Sequence, residues 1–531
     1  MDKIATYSRT STWSLGTVHE LARGLAAAIE RREYQVHISE TASKGNTLVV
    51  LPTGLGKTVI AILVAEKRLS EVKGSTILVL APTRPLVIQH YNAFRNYFKN
   101  FTCNHMTGQI PAEQRENTWR ESSFIFATPQ VIANDVEAKR YTLTKVGLLV
   151  FDEAHRCVKD YDYTKLALEY QRSAEHPLIL GLTASPGGDR KRVEEICQNL
   201  SIKQVEARTE HDDDVRSYVQ SVSTEWIHVQ LPENYREVSR LLRMVYDEKL
   251  NKLKSMKLLP NIQVVPKKLL LDLRLQLVAR LKQNRSGYIF AALTLQAQSI
   301  SLLHAIELLE TQGAGNLRSY LARMKENPKR TVQSLLKDER IQRAVELSSN
   351  LTTPHPKLDV ASKLVISEIG TNPNARIIIF TQYRDTVDQI VSRLQQEGIR
   401  PVRFVGQATR DETSKGLTQN EQVEILRNFS SGTYNVLVTT SIGEEGLHVP
   451  DVDHVIFFEA VPSEIRSIQR RGRTGRTRIG RVTTLLAEDT VDEPYYWSSF
   501  RKEKRMRTIL HRVKTRGIKT IKKKTTLLDY T

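Results

Sequence analysis

Two glycines, a lysine and a threonine stand close together in Leu51-Pro52-Thr53-Gly54-Leu55-Gly56-Lys57-Thr58. Gly54 and Gly56 have no Cβ, so the backbone can turn sharply there and lie against an anion. The loop N–H groups and the start of a following helix then face phosphate oxygens. Lys57 supplies charge for the β/γ-phosphates, and the Thr58 hydroxyl supplies a ligand for Mg²⁺. The usual form of this loop opens with glycine where Leu51 stands. A second cluster, Asp152-Glu153, closes the apolar run Val150-Phe151. Adjacent carboxylates at a strand end suit metal-assisted phosphoryl transfer. Asp152 would hold the metal, in part through water, and Glu153 would polarise the attacking water. A third cluster is Gln469-Arg470-Arg471-Gly472-Arg473-Thr474-Gly475-Arg476. Arg473 and Arg476 share a helical face and suit fingers that reach a γ-phosphate held by another domain.

Clusters so far apart in sequence need a fold that gathers them. Leu48-Val49-Val50 reads as a buried strand before the glycine loop, and Val59 to Ala65 as the helix after it. Further short apolar runs, Ile77–Ala81, Ser123–Ala127, Gly147–Phe151 and Leu178–Leu182, alternate with helical stretches. That alternation implies parallel strands with crossover helices. From about 232 to 353 the strand signal disappears and helical spacing takes over, with turns at Gly313-Ala314-Gly315 and Asn327-Pro328. Strand signals return at Ile377–Phe380, Val402–Val405, Val436–Thr439, His454–Phe458 and Val482–Leu486. The expected class is α/β: two parallel-sheet domains, 1–230 and 354–490, an all-helical insertion at 231–353, and a helix with a basic tail at 491–531.

The 531 residues carry a formal charge of +19. Residues 233–353 contribute a net +10 and residues 501–524 a net +11, so the rest is nearly neutral. Charge confined to two pieces points to a polyanionic partner. Cys103, Cys157 and Cys197 show no metal-ligand spacing and read as reduced thiols of a cytoplasmic protein. The start of the chain lacks the pattern of a signal peptide. The longest apolar candidate for a membrane span, Tyr288 to Leu309, is interrupted by Gln296, Gln298, Ser299, Ser301 and His304, so no membrane partner is expected.

Together the three clusters resemble motifs I, II and VI of superfamily 2 helicases of the DEAH type, which implies two RecA-like domains using ATP and Mg²⁺. Other motifs of that family follow in order. Arg32-Glu33-Tyr34-Gln35 resembles the adenine-reading motif, with Arg32 on the base and Gln35 at its edge. Ala81-Pro82-Thr83-Arg84, Ala127-Thr128-Pro129-Gln130, Ile379-Phe380-Thr381-Gln382-Tyr383 and Thr439 to Leu447 resemble further motifs of the family. The resemblance assigns nucleic-acid contacts to Thr83, Arg84, Thr128, Gln382 and Thr439. Thr183-Ala184-Ser185 resembles the coupling motif, which implicates Thr183 and Ser185.

Within the superfamily, four more stretches resemble the archaeal Hef and eukaryotic FANCM branch. They are His355 to Leu358, Arg403 to Ala408, Gly416 to Gln419 and Pro462 to Arg466. His448 departs from the aspartate usual there. That branch acts on forked or branched DNA and carries a helical insertion between its RecA-like domains. The Dicer and innate-immunity branch, activated by double-stranded RNA, is the alternative. Arg471 to Arg476 favours the DNA branch. No signature of the nuclease that often follows the helicase in archaeal Hef is found, so a helicase-only chain or fragment is expected. In the tail, Lys524, Leu527 and Tyr530 match the spacing of peptides that bind sliding clamps (PCNA), which makes Leu527 and Tyr530 candidate clamp contacts.

Overall fold

In the computed structural model of the chain, the described residues are 30–159, 161–210, 212–218, 222–283, 285–407, 416–440, 451–460, 463 and 480–516. Strands buried on both faces need apolar side chains at every position, and such runs form the middle of each sheet. The first sheet holds β1 (Thr47–Val50), β2 (Thr76–Leu80), β3 (Cys103–Met106), β4 (Phe124–Ala127), β5 (Val146–Phe151), β6 (Ile179–Thr183) and β7 (Gln204–Ala207). All its pairs are parallel, in the order β3-β4-β2-β5-β6-β1-β7. The second sheet holds β8 (Val222–Val229), β9 (Ile377–Phe380), β10 (Pro401–Phe404), β11 (Val436–Thr439), β12 (His454–Phe457) and β13 (Gly480–Ala487). It too is parallel, in the order β10-β11-β9-β12-β13-β8. These are the two RecA-like units the sequence implies.

Three strands lie outside the expected set: β3, β7 and β8. Each is an edge strand, solvated along one side, so polar residues interrupt its apolar signal. β8 also corrects a boundary. It pairs with β13 along its whole length, from Val222 opposite Gly480 to Val229 opposite Ala487. The second unit therefore begins at β8, inside the expected 1–230 domain, and the helical insertion is nested between β8 and β9 of that unit.

The insertion is built from the helices Glu233–Ser255, Lys267–Gln283, Gly287–Gln312, Ala314–Glu326, Arg330–Leu336 and Glu339–Asn350. The expected turn at 313–315 shrinks to Gly313 alone, whose φ of 107° breaks the chain while Ala314 already starts the next helix. After the turn at Asn327-Pro328 the helical run is split again at Asp338, whose carboxylate caps the second piece by accepting from Arg340 N–H. The helix Gly287–Gln312 is long and apolar enough, by composition, to cross a membrane. Here it is the bundle's central helix, packed against the helices Glu233–Ser255, Lys267–Gln283 and Ala314–Glu326.

Buried polar contacts bolt this bundle to the second unit. Gln312 donates to Glu459 (3.2 Å) and accepts from Thr381 (3.2 Å) and Thr386 (2.7 Å). Glu310 takes the Arg243 guanidinium and the Val491 N–H. The last helix, Asp492–Arg516, starts on the second unit, where the wholly buried Asp492 pairs with Lys357. It then crosses to the first unit, and Met506, Ile509 and Leu510 join that unit's core beside Val205 and Ile202.

Candidate ATP site and nucleic-acid track

The strand order sets β5, β6 and β1 side by side. The glycine loop leaves β1, Asp152-Glu153 leaves β5 and Thr183 ends β6, so motifs separated by up to 130 residues meet at one sheet edge. Ligands of open α/β sheets gather at such C-terminal edges. Backbone bonds tie the β1 exit to β6 and the β5 exit to β2. Leu51 N–H donates to Thr183 (3.0 Å) and Asp152 N–H to Leu80 (2.9 Å). Gly54 and Gly56 take φ of 88° and 75°, a region costly for other residues. A Cβ at Gly56 would also stand 2.3 Å from the Gln35 amide.

The Lys57 ammonium donates to the Leu51 carbonyl (3.1 Å), across the hollow of its own loop. Thr58 follows in the first turn of the helix Lys57–Glu71. Asp152 is nearly buried, and its carboxylate sits 2.8 Å from His90 Nε2. Burial opposes its ionisation, yet His90 and the Lys57 charge outweigh burial and hold the Asp152 carboxyl below its usual pKa. Glu153 adopts a left-handed φ of 51°, a strained backbone of the kind found at working sites. Its carboxylate lies 3.1 Å from His155 Nδ1, which is 3.2 Å from the Thr183 hydroxyl. Thr183 in turn bonds both the carbonyl and the N–H of Ser185, and Ser185 Oγ meets Met506 Sδ at 3.0 Å. Thr183 and Ser185 thus link the carboxylate cluster to the last helix.

Arg32 and Gln35 come to the same loop by a route the sequence did not indicate. Gln35 is buried, accepts from Arg32 N–H (3.1 Å) and donates to the Leu55 carbonyl (3.2 Å). Tyr34 OH donates to the same carbonyl at 2.8 Å. Both ends of the Gln35 amide are therefore engaged by protein, and Gln35 clamps the phosphate loop. Arg32 lies over the Tyr218 ring at 5.0 Å.

Two residues of this site escaped the sequence. His90 sits on the helix Arg84–Tyr97, 62 residues before its partner, and only the fold joins them. Tyr163 bonds the carbonyls of both Asp152 (2.8 Å) and Leu80 (3.2 Å), fixing the turn that carries the carboxylates. Lys57, Thr58 and Asp152 form a donor set that fits a Mg²⁺–nucleotide. When bound, Mg²⁺ would neutralise phosphate charge during transfer.

The residues expected to contact nucleic acid lie on neighbouring strands. Thr83 and Thr128 follow β2 and β4, which pair Leu80 with Ala127. Each sits at the N-cap of a helix, and neither hydroxyl caps it. On the second sheet Gln382 is exposed beyond β9, whereas Thr439 at the end of adjacent β11 is buried with its hydroxyl on the Thr440 carbonyl. Gln469, Arg473, Arg476, Leu527, Tyr530 and His448 lie outside the described residues.

Known proteins share this arrangement. The DEAD/DEAH box helicase model matches residues 32–193, and the helicase conserved C-terminal domain matches 357–478. A model described as a putative ATP-dependent RNA helicase helical bundle matches 234–353. The crystal structure of the Pyrococcus furiosus Hef helicase domain is 43% identical, with a TM-score of 0.65, over 88% of this chain and 98% of that one. The chain belongs to the Hef-type superfamily 2 helicases. A putative ATP-dependent RNA helicase of Methanocaldococcus jannaschii is 40% identical over 91% of this chain and 61% of its own. The ATP-dependent DNA helicase mph1 of Neurospora crassa is 33% identical over 87% of this chain and 41% of its own. The chain therefore spans about two fifths to three fifths of these relatives' length. The clustered motifs fall within the region that matches the DEAD/DEAH box helicase model, and the helical bundle within the region that matches the helical-bundle model.

Proposed function

We propose that this chain is an ATP-driven DNA motor that remodels forked or branched DNA during fork repair, with Mg²⁺ as the ion of its nucleotide. The observation that carries the reading is the mounting of the bundle. Its net +10 is bolted through buried polar groups to the second unit, while the nucleotide loop belongs to the first. Closure of the units on ATP would swing a positive arm against the DNA track. The likeness to mph1, an ATP-dependent DNA helicase, supports DNA over RNA. Thr83, Arg84, Thr128 and Gln382 would contact the phosphate backbone. Thr439 would act from beneath them.

ATP hydrolysis should be stimulated more by forked DNA than by linear duplex DNA, and least by duplex RNA. Stronger stimulation by duplex RNA would replace this reading with that of a double-stranded-RNA-activated ATPase. The tail residues Leu527 and Tyr530 would tether the motor to a sliding clamp. A peptide of residues 520–531 should bind the clamp, and L527A with Y530A should remove that binding. We place the protein in the cytoplasm, on the chromosome it would act upon.

A further inference from the structure

The outward face of the last helix belongs to no part of the ATP site. Met506, Ile509 and Leu510 turn inward to the first unit's core, and Ser499 is buried too. At the intervening positions, spaced by three and four, stand Trp497, Phe500, Arg501, Lys504 and Arg505, all exposed. Trp497 is 45% exposed and Phe500 50%, high values for the two largest apolar side chains of this helix. Their rings touch edge to face at 6.0 Å. Phe500 is near-parallel to Tyr496 at 6.4 Å, and Tyr496 touches Trp226 of β8, itself 47% exposed. Arg501, Lys504 and Arg505 make no ion pair among the described residues. Glu503, on the same helix, is largely buried and pairs with Arg507.

We propose that this face is a binding surface for single-stranded DNA, the unpaired arm of a fork. It deepens the function proposed above and rests on it for the source of the strand. Half-exposed aromatic rings offer stacking platforms for bases, and the adjoining cations track a phosphate backbone. A duplex hides its base faces, so it gains from the cations alone. An acidic protein would meet the charge but gives no reason for ring faces to remain open. The helix also bridges the two units, so a strand held here stays beside the motor.

The test uses the full chain and a labelled oligo(dT) of about 20 nucleotides, beside a blunt duplex of equal length, followed by anisotropy over a salt series. W497A/F500A should raise the Kd for oligo(dT) about tenfold or more, since stacking on aromatics accounts for such losses. Its duplex affinity should change less than about twofold. R501A/K504A should weaken both ligands and lower the salt slope by about one per lost phosphate contact. Oligonucleotides carrying iodouracil should cross-link to the segment holding Trp497. Unchanged oligo(dT) binding by W497A/F500A, at an unchanged melting temperature, would overturn the proposal. So would equal losses for oligo(dT) and duplex, which would reduce the face to a charge patch. A chain that binds oligo(dT) here but shows no DNA-stimulated ATPase would refute the motor and leave this surface standing.

Discussion

His90 shows how much of the site a sequence can hide. A lone histidine in an amphipathic helix carries no motif, yet its ring is the direct partner of the carboxylate assigned to Mg²⁺. Partners of metal-binding groups set their orientation, and losing one typically costs about 10- to 100-fold in metal affinity or activity. H90L should therefore slow ATP hydrolysis about 10- to 100-fold and raise the Mg²⁺ requirement, while H90Q, which keeps a donor near Nε2, should recover part of the loss. Steady-state hydrolysis over a Mg²⁺ series reads both. K57A and E153Q touch the phosphates and the attacking water. Each should lower kcat by about 10²-fold or more and leave DNA binding in filter assays intact. Near-normal turnover in either would displace the site. Gln35 is expected at the edge of the adenine, and the fold also places its amide on the glycine loop. Its amide is engaged at both ends, so Q35A should weaken ATP and GTP alike, by loosening the loop. A loss confined to ATP would return Gln35 to reading the adenine.

Elements were legible where their chemistry is uniform. The central strands are mostly apolar because both faces are covered, and they emerged within a residue or two of their ends. The edge strands β3, β7 and β8 did not, because one solvated side admits residues such as Asn104, Glu206 and Glu225. The helix that opens at His355 illustrates a capping residue with a pH consequence. Its Nδ1 accepts Lys357 N–H (3.2 Å) and its Nε2–H donates to the Glu310 carbonyl (3.0 Å), so the neutral ring is fully satisfied. Burial, and then the Lys357 charge, push its pKa down to about 3. Burial and Arg481 likewise bring His454 to about 4. In the unfolded chain both rings would take a proton near pH 6.5. The unfolded state therefore binds more protons between about pH 6.5 and the folded values, and stability must fall on acidification through that window. Melting temperatures from pH 7.5 to 4.5 should drop more steeply for the parent chain than for H355N, which keeps a capping oxygen but does not titrate. Parallel slopes would remove His355 from this account.

At the scale of the molecule, the two-sheet plan and the helical insertion were readable from alternation and its interruption. Their assembly was not, because a single edge strand, β8, decides which unit owns the bundle. That ownership also decides how to test the bundle. Excision would remove Gln312 from Thr381, Thr386 and Glu459 and Glu310 from the Val491 N–H, and buried polar groups that lose partners are costly. Charge reversal on its exposed helix leaves the junction alone. K268E/R274E/K282E should weaken fork binding and flatten its salt dependence by up to about three in slope, with basal hydrolysis retained. Unchanged fork affinity would make the bundle a scaffold only. The chain leaves the first unit ahead of β8 and returns to it through the last helix, where Met506, Ile509 and Leu510 are embedded in the first unit's core. Two attachment points define a line, and bodies joined along a line turn about it more readily than they separate or slide. Any swing of the second unit would therefore favour the axis through these two attachments, and the Ser185–Met506 contact lies at one of them.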